Sequence, residues 1–539
     1  MAISAKQEDI APSGTFVRQA SGLVRQAGAF DAFIFNSYFI NIGMGVAFMI
    51  LMYPLYPGAN LILTTFACLV LVLPTSLLYV MFMSAMPRSG GDYVYVTRSL
   101  GPFMGFVSNW NWNMWNLYLM GIAGSFLGTY GISGILRVIA GFTGNASIAD
   151  SADFVTTSTG TFLISSALVI GLILLFMFGR GLRAYLKFQK ITFYVATLGL
   201  LVGIVAMLIA GKAGFIKDFN DYTGSFTDKA NPHQEVLAAG NFKAAPFSFS
   251  ESMSAVTWPF LVLGFGIASA YIGGEIKTGR NAFLKSVTGS VVYSAVFMAV
   301  IIAVLFAVAG DAFLGSLGLA DPSKVGLAFT PTFGELSAMT SGNIVFALIV
   351  AVGFALWTYV WMPGYILSWS RSMLAWSLDR LVPAKLGEVD PRREAPVFGL
   401  LVLMAGSLVS CALYAYTDLL TVLAGALGEG LTFIVVAVAG IVFPYKQRSI
   451  WESSPYNQRV GGLPLMSIMG VLSLAGMLII SFILLTDENS GVDLTESPRN
   501  VIVTFGTFAS GIFVYGIARL WQRSRGVDVT LAYREIPPE

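Results

Sequence analysis

The chain has little charge, little cysteine and almost no histidine. Only 11% of its 539 residues are charged, whereas soluble domains carry about 25%. Hydrophobic residues make up 56%, and the mean hydropathy is +0.75. An ordinary soluble protein is excluded, and the composition is that of an integral membrane protein with many spans. Both cysteines, Cys68 and Cys411, fall within apolar runs, which argues against a disulfide framework. The single histidine, His233, lies in a polar connection, where such a residue is ordinarily solvated, and it is assigned no role. No cleavable signal peptide is expected: residues 1–31 are polar and the first apolar run is long enough to span a bilayer. Residues 1–20 and 526–539 read as solvated tails. Neither is long enough to supply the soluble domain that a receptor or sensor would need. No metal-ligand cluster or nucleophile–base pair stands out in the apolar runs, so neither an enzyme, a cofactor nor a bound metal is expected. No nucleic acid partner is expected either.

What the chain does have is length in apolar runs. A span needs about 20 such residues, and twelve runs qualify: 33–56, 60–85, 103–132, 160–179, 191–211, 257–276, 287–310, 342–368, 397–416, 419–443, 463–485 and 500–521. The run at 103–132 is long enough to tilt or to project from the membrane. With the N-terminus placed in the cytoplasm, this count puts 24 of the Lys and Arg residues on the cytoplasmic side and 7 on the other. The positive-inside rule therefore expects both termini in the cytoplasm. Two polar outer connections, about 212–256 and 311–341, are long enough to hold short helices over an entrance.

Two apolar runs are interrupted. The stretch Asn36 to Met52 carries Gly43 and Gly45, and the sixth run carries Gly264-Phe265-Gly266. In lipid every backbone polar group must be satisfied internally, so a helix break is tolerated only where it lines a cavity. Paired breaks at matching places in two halves of a chain mark the substrate site of a transporter.

Three connections on the cytoplasmic side carry a resemblance. They are MPRSGGDYVYVTRSLGP (Met86 to Pro102), GGEIKTGRNAFLKS (Gly273 to Ser286) and SRSMLAWSLDRLVPAKLGEVDPRREAPVFG (Ser370 to Gly399). GLRAYLKFQKIT, after the fourth run, adds a further match. In order and spacing they resemble the amino acid–polyamine–organocation (APC) transporter superfamily, and the resemblance covers most of the chain. It implies an all-α integral membrane protein with twelve transmembrane helices in a leucine-transporter-like fold. Helices 1–5 (residues 33–211) and 6–10 (257–443) would be inverted repeats, with helices 1 and 6 broken. Residues 1–32 would be a cytoplasmic segment, 212–256 an outer loop, 444–525 an accessory hairpin of helices 11 and 12, and 526–539 a cytoplasmic tail. The implied activity is secondary active transport of an amino acid across the plasma membrane by alternating access. A carrier of polyamines or other organic cations, or an amino acid exchanger, is the alternative within the same fold.

The chemistry of a broken helix suits a zwitterion. Amides at the start of one half-helix attract a carboxylate, and carbonyls at the end of the other attract an ammonium. The backbone of Gly43, Met44 and Gly45 is the candidate carboxylate site, and carbonyls around Ile40, Val262 and Gly264 the candidate ammonium site. For Gly43 and Gly45 the competing reading is small-residue helix packing. Many members of the superfamily place an acidic residue, Asn or Ser after Gly-Phe in helix 6, where this chain has Gly266. Recognition of a charged side chain from helix 6 is thus disfavoured, and Phe265, Phe260 and Trp258 read as an apolar wall or outer lid. In helix 3, Asn109, Asn113 and Asn116 share one face, which either lines the pathway or bonds neighbouring helices. Glu429, within GALGEGLTF, is the one acidic residue deep in a span and a functional candidate by default. An apolar setting disfavours its charged form, so it could carry a proton; a structural carboxyl between Gly428 and Gly430 is the competing reading.

Some proton-coupled relatives carry a lysine in helix 5, which would fall near Ala196; this helix has none. Thr358, with backbone near Ile40 and Gly43, is the candidate for a sodium site, leaving the coupling ion open between H+ and Na+. Arg88, Lys277 and Arg371 stand at helix ends on the cytoplasmic side with Asp92, Glu275 and Asp379 as available partners. They are candidates for a cytoplasmic gate; simple topological anchoring is the alternative.

Overall fold

The computed structural model describes residues 25–529 apart from 179–180, 226, 228, 278–280, 328–329, 391–392, 394, 418 and 527–528. The expected tails lie largely outside the described residues, as do Arg180, Arg280 and Arg392. The described chain is almost wholly helical. In order, the helices are α1 (Ala29–Ile40), α2 (Ile42–Met52), α3 (Leu61–Ala85), α4 (Asp92–Ser99), α5 (Pro102–Phe126), α6 (Ser133–Thr143), α7 (Ala146–Thr156) and α8 (Ser158–Phe178). Next come α9 (Gly181–Gly224), α10 (Pro232–Gly240), α11 (Phe249–Ser254), α12 (Thr257–Leu263), α13 (Gly289–Val308), α14 (Asp311–Leu319), α15 (Phe333–Met339) and α16 (Ile344–Ala355). The last are α17 (Trp361–Leu378), α18 (Ala384–Gly387), α19 (Val397–Tyr416), α20 (Val422–Lys446), α21 (Arg448–Ser453), α22 (Leu465–Thr486) and α23 (Pro498–Ser524).

Among the described residues eleven helical stretches are long and apolar enough to cross a membrane. The expected span at 342–368 differs. It divides into α16 and α17 around residues 356–360, so neither half passes as a full-length apolar span. Two spans exceed the bilayer: α5 continues through a π-helical turn (Leu127–Ile132) into α6, and α9 runs on past 211 to Gly224. Gly211 takes a left-handed φ of 59°, which a side chain would oppose, and redirects α9 where it leaves the apolar stretch. The two long polar connections do hold short helices, α10 and α11 in one, α14 and α15 in the other. His233 is buried there rather than solvated, stacked on Phe313 at 4.6 Å.

Burial ranks the spans. In the stretch Ala29–Leu55, 94% of the apolar window is buried, and in Phe249–Glu275 all of it, against 28% in α23. The two interrupted segments are therefore the most buried of the spans, and α23, α9 and α19 the least. The outward side chains are apolar, among them Ile209, Ile502 and Phe513, and suit a hydrocarbon surround.

The first break is not at the glycines. Asn41 alone adopts the left-handed conformation (φ 60°, ψ 74°), ending α1 and starting α2, whereas Gly43 and Gly45 are helical. Asn tolerates this conformation and its side chain repairs part of the damage: Oδ1 accepts from the Met44 amide at 3.1 Å. The second break falls where the glycines predicted it. α12 ends at Leu263, residues 264–267 form a turn, and a 3-10 segment follows over Ala268–Glu275.

Asn41 thus holds its bend by backbone tolerance and by capping. Replacing it with Ala forfeits both, each costing about 1 kcal/mol; Gly forfeits only the cap. The thermal midpoint of purified protein should fall in the order native, Asn41→Gly, Asn41→Ala. An Ala variant as stable as the Gly variant would show that the left-handed bend is not what Asn41 secures.

Candidate functional site

The two breaks meet. A Cβ on Gly266 would lie 3.0 Å from Ile40 Cδ1, and one on Gly45 would lie 2.9 Å from Val262 Cγ2. Asn36 ties the segments together through its whole amide. Its Nδ2 donates to Ser269 Oγ (3.0 Å) and to the Ser286 carbonyl (2.9 Å), and its Oδ1 accepts from the Ser269 amide (2.8 Å). Asn36 is fully buried and supplies the partner that the interrupted backbone at Ser269 lacks.

Not all the expected backbone groups are open. The Met44 amide is capped by Asn41, and the Gly45 amide donates to the Asn41 carbonyl at 2.9 Å. Within the expected trio that leaves Gly43, together with Ile42 before it, as first-turn amides that a helix start leaves without an intrahelical acceptor. On the other segment the Val262 carbonyl already accepts from Gly264 and Phe265. The carbonyls of Gly264, Phe265 and Gly266 accept no hydrogen bond among the described residues. The α-carbon sides of Gly43 and Gly45 serve packing: a Cβ would meet Trp357 Cβ at 2.7 Å and Met298 Cε at 2.8 Å.

Beside the second break lies a narrow cavity of about 10 Å³, room for about one water. Leu119, Ile122, Leu261, Phe265, Trp361 and Tyr365 line it, and no charged side chain does. Phe265 stands in an aromatic cage, 6.2–6.3 Å from the rings of Phe39, Trp112, Phe260 and Phe433. Trp258 sits further out, its indole 3.5 Å from the Tyr56 hydroxyl, which donates to Asp487. Thr358 lies in the α16–α17 break, donating to the Ala355 carbonyl at 2.7 Å and facing Gly131. The neighbouring Trp357 is the residue that a Cβ on Gly43 would meet.

Glu429 is fully buried in α20. The Asn116 amide is satisfied at both ends in one orientation: its nitrogen faces Glu429 Oε1 at 3.3 Å, while its oxygen accepts from Trp112 Nε1 (2.8 Å) and Ser368 Oγ (3.1 Å). Asn111 Nδ2 donates to the Gly428 carbonyl at 2.6 Å and to Thr432 at 3.1 Å. Gly428 is obligatory for a different reason, since its Cα faces the indole nitrogen of Trp115 with no room for a Cβ.

At the end of the bundle where basic residues concentrate, the candidate gate residues sort into distinct contacts. Arg371 and Glu275, both buried, form a two-pronged pair, Nε–Oε1 2.8 Å and Nη2–Oε2 2.7 Å. The Glu275 carbonyl accepts from Gln26 (2.8 Å) and Ala27 (3.0 Å), and the Lys277 amide donates to Ala27 at 2.8 Å, fastening the N-terminal segment beneath the second break. Lys277 contributes through this backbone bond; its side chain is exposed. The Arg88 carbonyl lies 3.0 Å from where a Cβ on Gly273 would stand. Asp92 is bonded not to a cation but to the Tyr271 hydroxyl and to Asn109 Nδ2 at 3.2 Å. Asp379 accepts from Tyr93 at 2.7 Å.

Sequence reasoning missed Asn36, Tyr271 and Tyr365. Asn36 did carry a signal, a polar amide in an apolar run, but its partner Ser269 lies 233 positions away.

A multi-pass helical membrane protein centred on two meeting helix breaks is the class that this arrangement defines. The chain belongs to the amino acid permease family, whose model matches residues 31–510. Among curated proteins it is similar to the branched-chain amino acid permease BcaP of Bacillus subtilis (strain 168), 23% identical over 456 residues that cover 84% of this chain and 86% of that one.

The Arg371–Glu275 pair yields a prediction. Removing one partner strands a buried charge, so Arg371→Ala should cost about 3–5 kcal/mol, whereas replacing both residues with Met should recover most of that loss. Thermal unfolding of the single and double variants measures it. A double variant no more stable than Arg371→Ala would mean that the pair does not act as a unit.

Proposed function

We propose that this protein is a secondary active transporter that moves an amino acid across the plasma membrane by alternating access. The observation that supports it is the meeting of two helix breaks: a Cβ on Gly266 would stand against Ile40, at the end of α1, and the carbonyls of Gly264, Phe265 and Gly266 accept no hydrogen bond among the described residues. An ammonium suits those carbonyls, and a carboxylate suits the first amides of α2, Ile42 and Gly43. The carbonyl side is thus shifted from Val262 to residues 264–266, and the amide side from Met44 and Gly45 towards Ile42.

The side chain of the substrate would enter between Phe265, Trp361 and Tyr365, where the cavity of about 10 Å³ must widen in another state of the cycle to admit it. Its lining favours an apolar substrate such as leucine, isoleucine or valine, in keeping with the name of the Bacillus relative. In the proposed architecture the halved span α16–α17 counts as the eighth of twelve. Residues 33–211 and 257–443 form inverted repeats, 444–525 an accessory hairpin, and both termini face the cytoplasm. The basic end is then the cytoplasmic gate, closed by Arg371–Glu275 and the strapped N-terminal segment. We further propose Glu429 as the coupling carboxyl, protonated in one part of the cycle and charged in another; Na+ at Thr358 is the competing coupling. Transport of a polyamine or other organic cation is a second reading, favoured by the oxygen of Glu429 that has no partner among the described residues.

Ligand binding raises thermal stability by mass action. Leucine, isoleucine and valine should shift the melting midpoint of purified protein, and putrescine and arginine should not. A shift with putrescine alone would favour the organic-cation reading. For coupling, uptake of radiolabelled leucine into proteoliposomes should rise under an inward proton gradient, and Glu429→Gln should abolish that rise. If the variant still concentrates leucine under the gradient, Glu429 is structural.

A further inference from the structure

We propose that Asp92 is a second proton site of the transport cycle, joined to Glu429 by the asparagine face of α5, and that it accepts at the basic end the proton that Glu429 releases. The inference rests on the coupling role proposed for Glu429.

The two carboxyls stand at opposite ends of one polar track. Asp92 opens α4 and is fully buried; its Oδ1 accepts from Asn109 Nδ2 at 3.2 Å and from the Tyr271 hydroxyl. Asn113 Nδ2 donates back to the carbonyl (2.7 Å) and Oδ1 (3.2 Å) of Asn109. One turn further along α5, Asn116 turns its amide nitrogen to Glu429. From Asn109 to Asn116 the helix rises about 10 Å. Along this track Asp92 Oδ2, Asn113 Oδ1 and Glu429 Oε2 are buried with no hydrogen-bond partner among the described residues. Buried polar atoms are normally bonded, and leaving one unbonded is costly. Two of the three belong to carboxyls, the groups here that can gain or lose a proton.

The surroundings of the pair are polar but hold no cation bonded to either carboxyl among the described residues. Asp92 is faced by Tyr271 from the segment 268–275, Tyr79 from α3 and Asn109 from α5; Arg98, on its own helix, bonds Thr97 Oγ1. Glu429 is faced by Tyr365 from α17 and Asn116 from α5. Tyr79 and Tyr271 lie close enough to sense the charge of both carboxyls. Burial pushes the Asp92 carboxyl up to about 6, and the hydrogen bonds from Tyr271 and Asn109 offset that only in part.

The transfer conserves charge: Glu429 goes from acid to carboxylate and Asp92 from carboxylate to acid, with water admitted along the asparagine face during the cycle carrying the proton between them, since the amides orient that path but do not themselves titrate. It also has a mechanical consequence. Tyr271 is clamped at the basic end, its carbonyl accepting from Gly90 at 3.0 Å and its ring stacked on Trp112 at 5.4 Å. A neutral Asp92 accepts more weakly from the Tyr271 hydroxyl than a charged one does. Arrival of the proton therefore loosens the segment 268–275 on the side where substrate must leave.

The test uses full-length protein in proteoliposomes with radiolabelled leucine. Inner and outer pH are lowered together so that the gradient stays constant. Above about 6 Asp92 is charged and can accept; below it the site is already filled. From about pH 7 to about pH 5 inside, the accepting fraction falls about tenfold, and native uptake should fall with it. Asp92→Asn keeps the acceptor oxygen for Tyr271 but cannot titrate, so its profile should be flat. Asn113→Ala interrupts the track without touching either carboxyl and should flatten the profile as well, which keeps the test open if the first variant does not fold. Tenfold profiles retained in whichever of the two variants fold would overturn the role of Asp92 while leaving that of Glu429 intact. Native uptake indifferent to the gradient would remove the coupling role of Glu429, and this proposal with it.

Discussion

A helix interrupted in the middle of an apolar bundle has backbone groups that no solvent can satisfy, and the centre of this protein is arranged around that constraint. Two asparagines meet it from within the first interrupted segment. Asn41 bends the backbone and caps Met44, while Asn36 reaches across to the second segment and bonds Ser269 at both amide and hydroxyl. An unsatisfied amide in hydrocarbon costs several kcal/mol, so these contacts fix where each break falls and hold the two breaks together. The carbonyls at 264–266 are left over, and a ligand can use them.

The closed basic end follows from the same arrangement. Because the segment 268–275 is not a regular α-helix, it is held from outside: by Gly90 on the Tyr271 carbonyl, by Arg371 on the Glu275 side chain, and by Gln26 and Ala27 on the Glu275 carbonyl. Each of these contacts is local and separable. An element fastened in this way can be released without unfolding the helices around it, as the proposed alternating access would require. Trp112 connects this end to the site, stacking on Tyr271 and touching Phe265 and Phe433.

Much of this was legible before any coordinates. Eleven of the expected apolar runs are present as spans, and the family suggested by the loop motifs is the family to which the chain belongs. The second break lies at Gly264–Gly266 as its glycines indicated, and the Asn109, Asn113 and Asn116 face points into the protein. The errors are informative. Gly43 and Gly45 looked like the first break because glycine permits one, but both sit in regular helix, where they admit Trp357, Met298 and Val262 to close contact. The eighth run looked continuous because hydropathy does not register a bend among apolar residues.

Hydropathy and short motifs act over one or two turns, so the sequence by itself determined the membrane class, the approximate spans, the family and the burial of Glu429. Partnership between distant residues is a tertiary property. Only the fold decided that Asn36 would meet Ser269 across 233 positions, that Arg371 would choose Glu275 among several carboxylates, and that Asp92 would take Tyr271 and Asn109 instead of a cation. It also decided that Asn41, and not the glycines beside it, carries the bend. The left-handed Asn41 is secured because its side chain finds the amide of Met44, and that pairing exists only once α2 has formed.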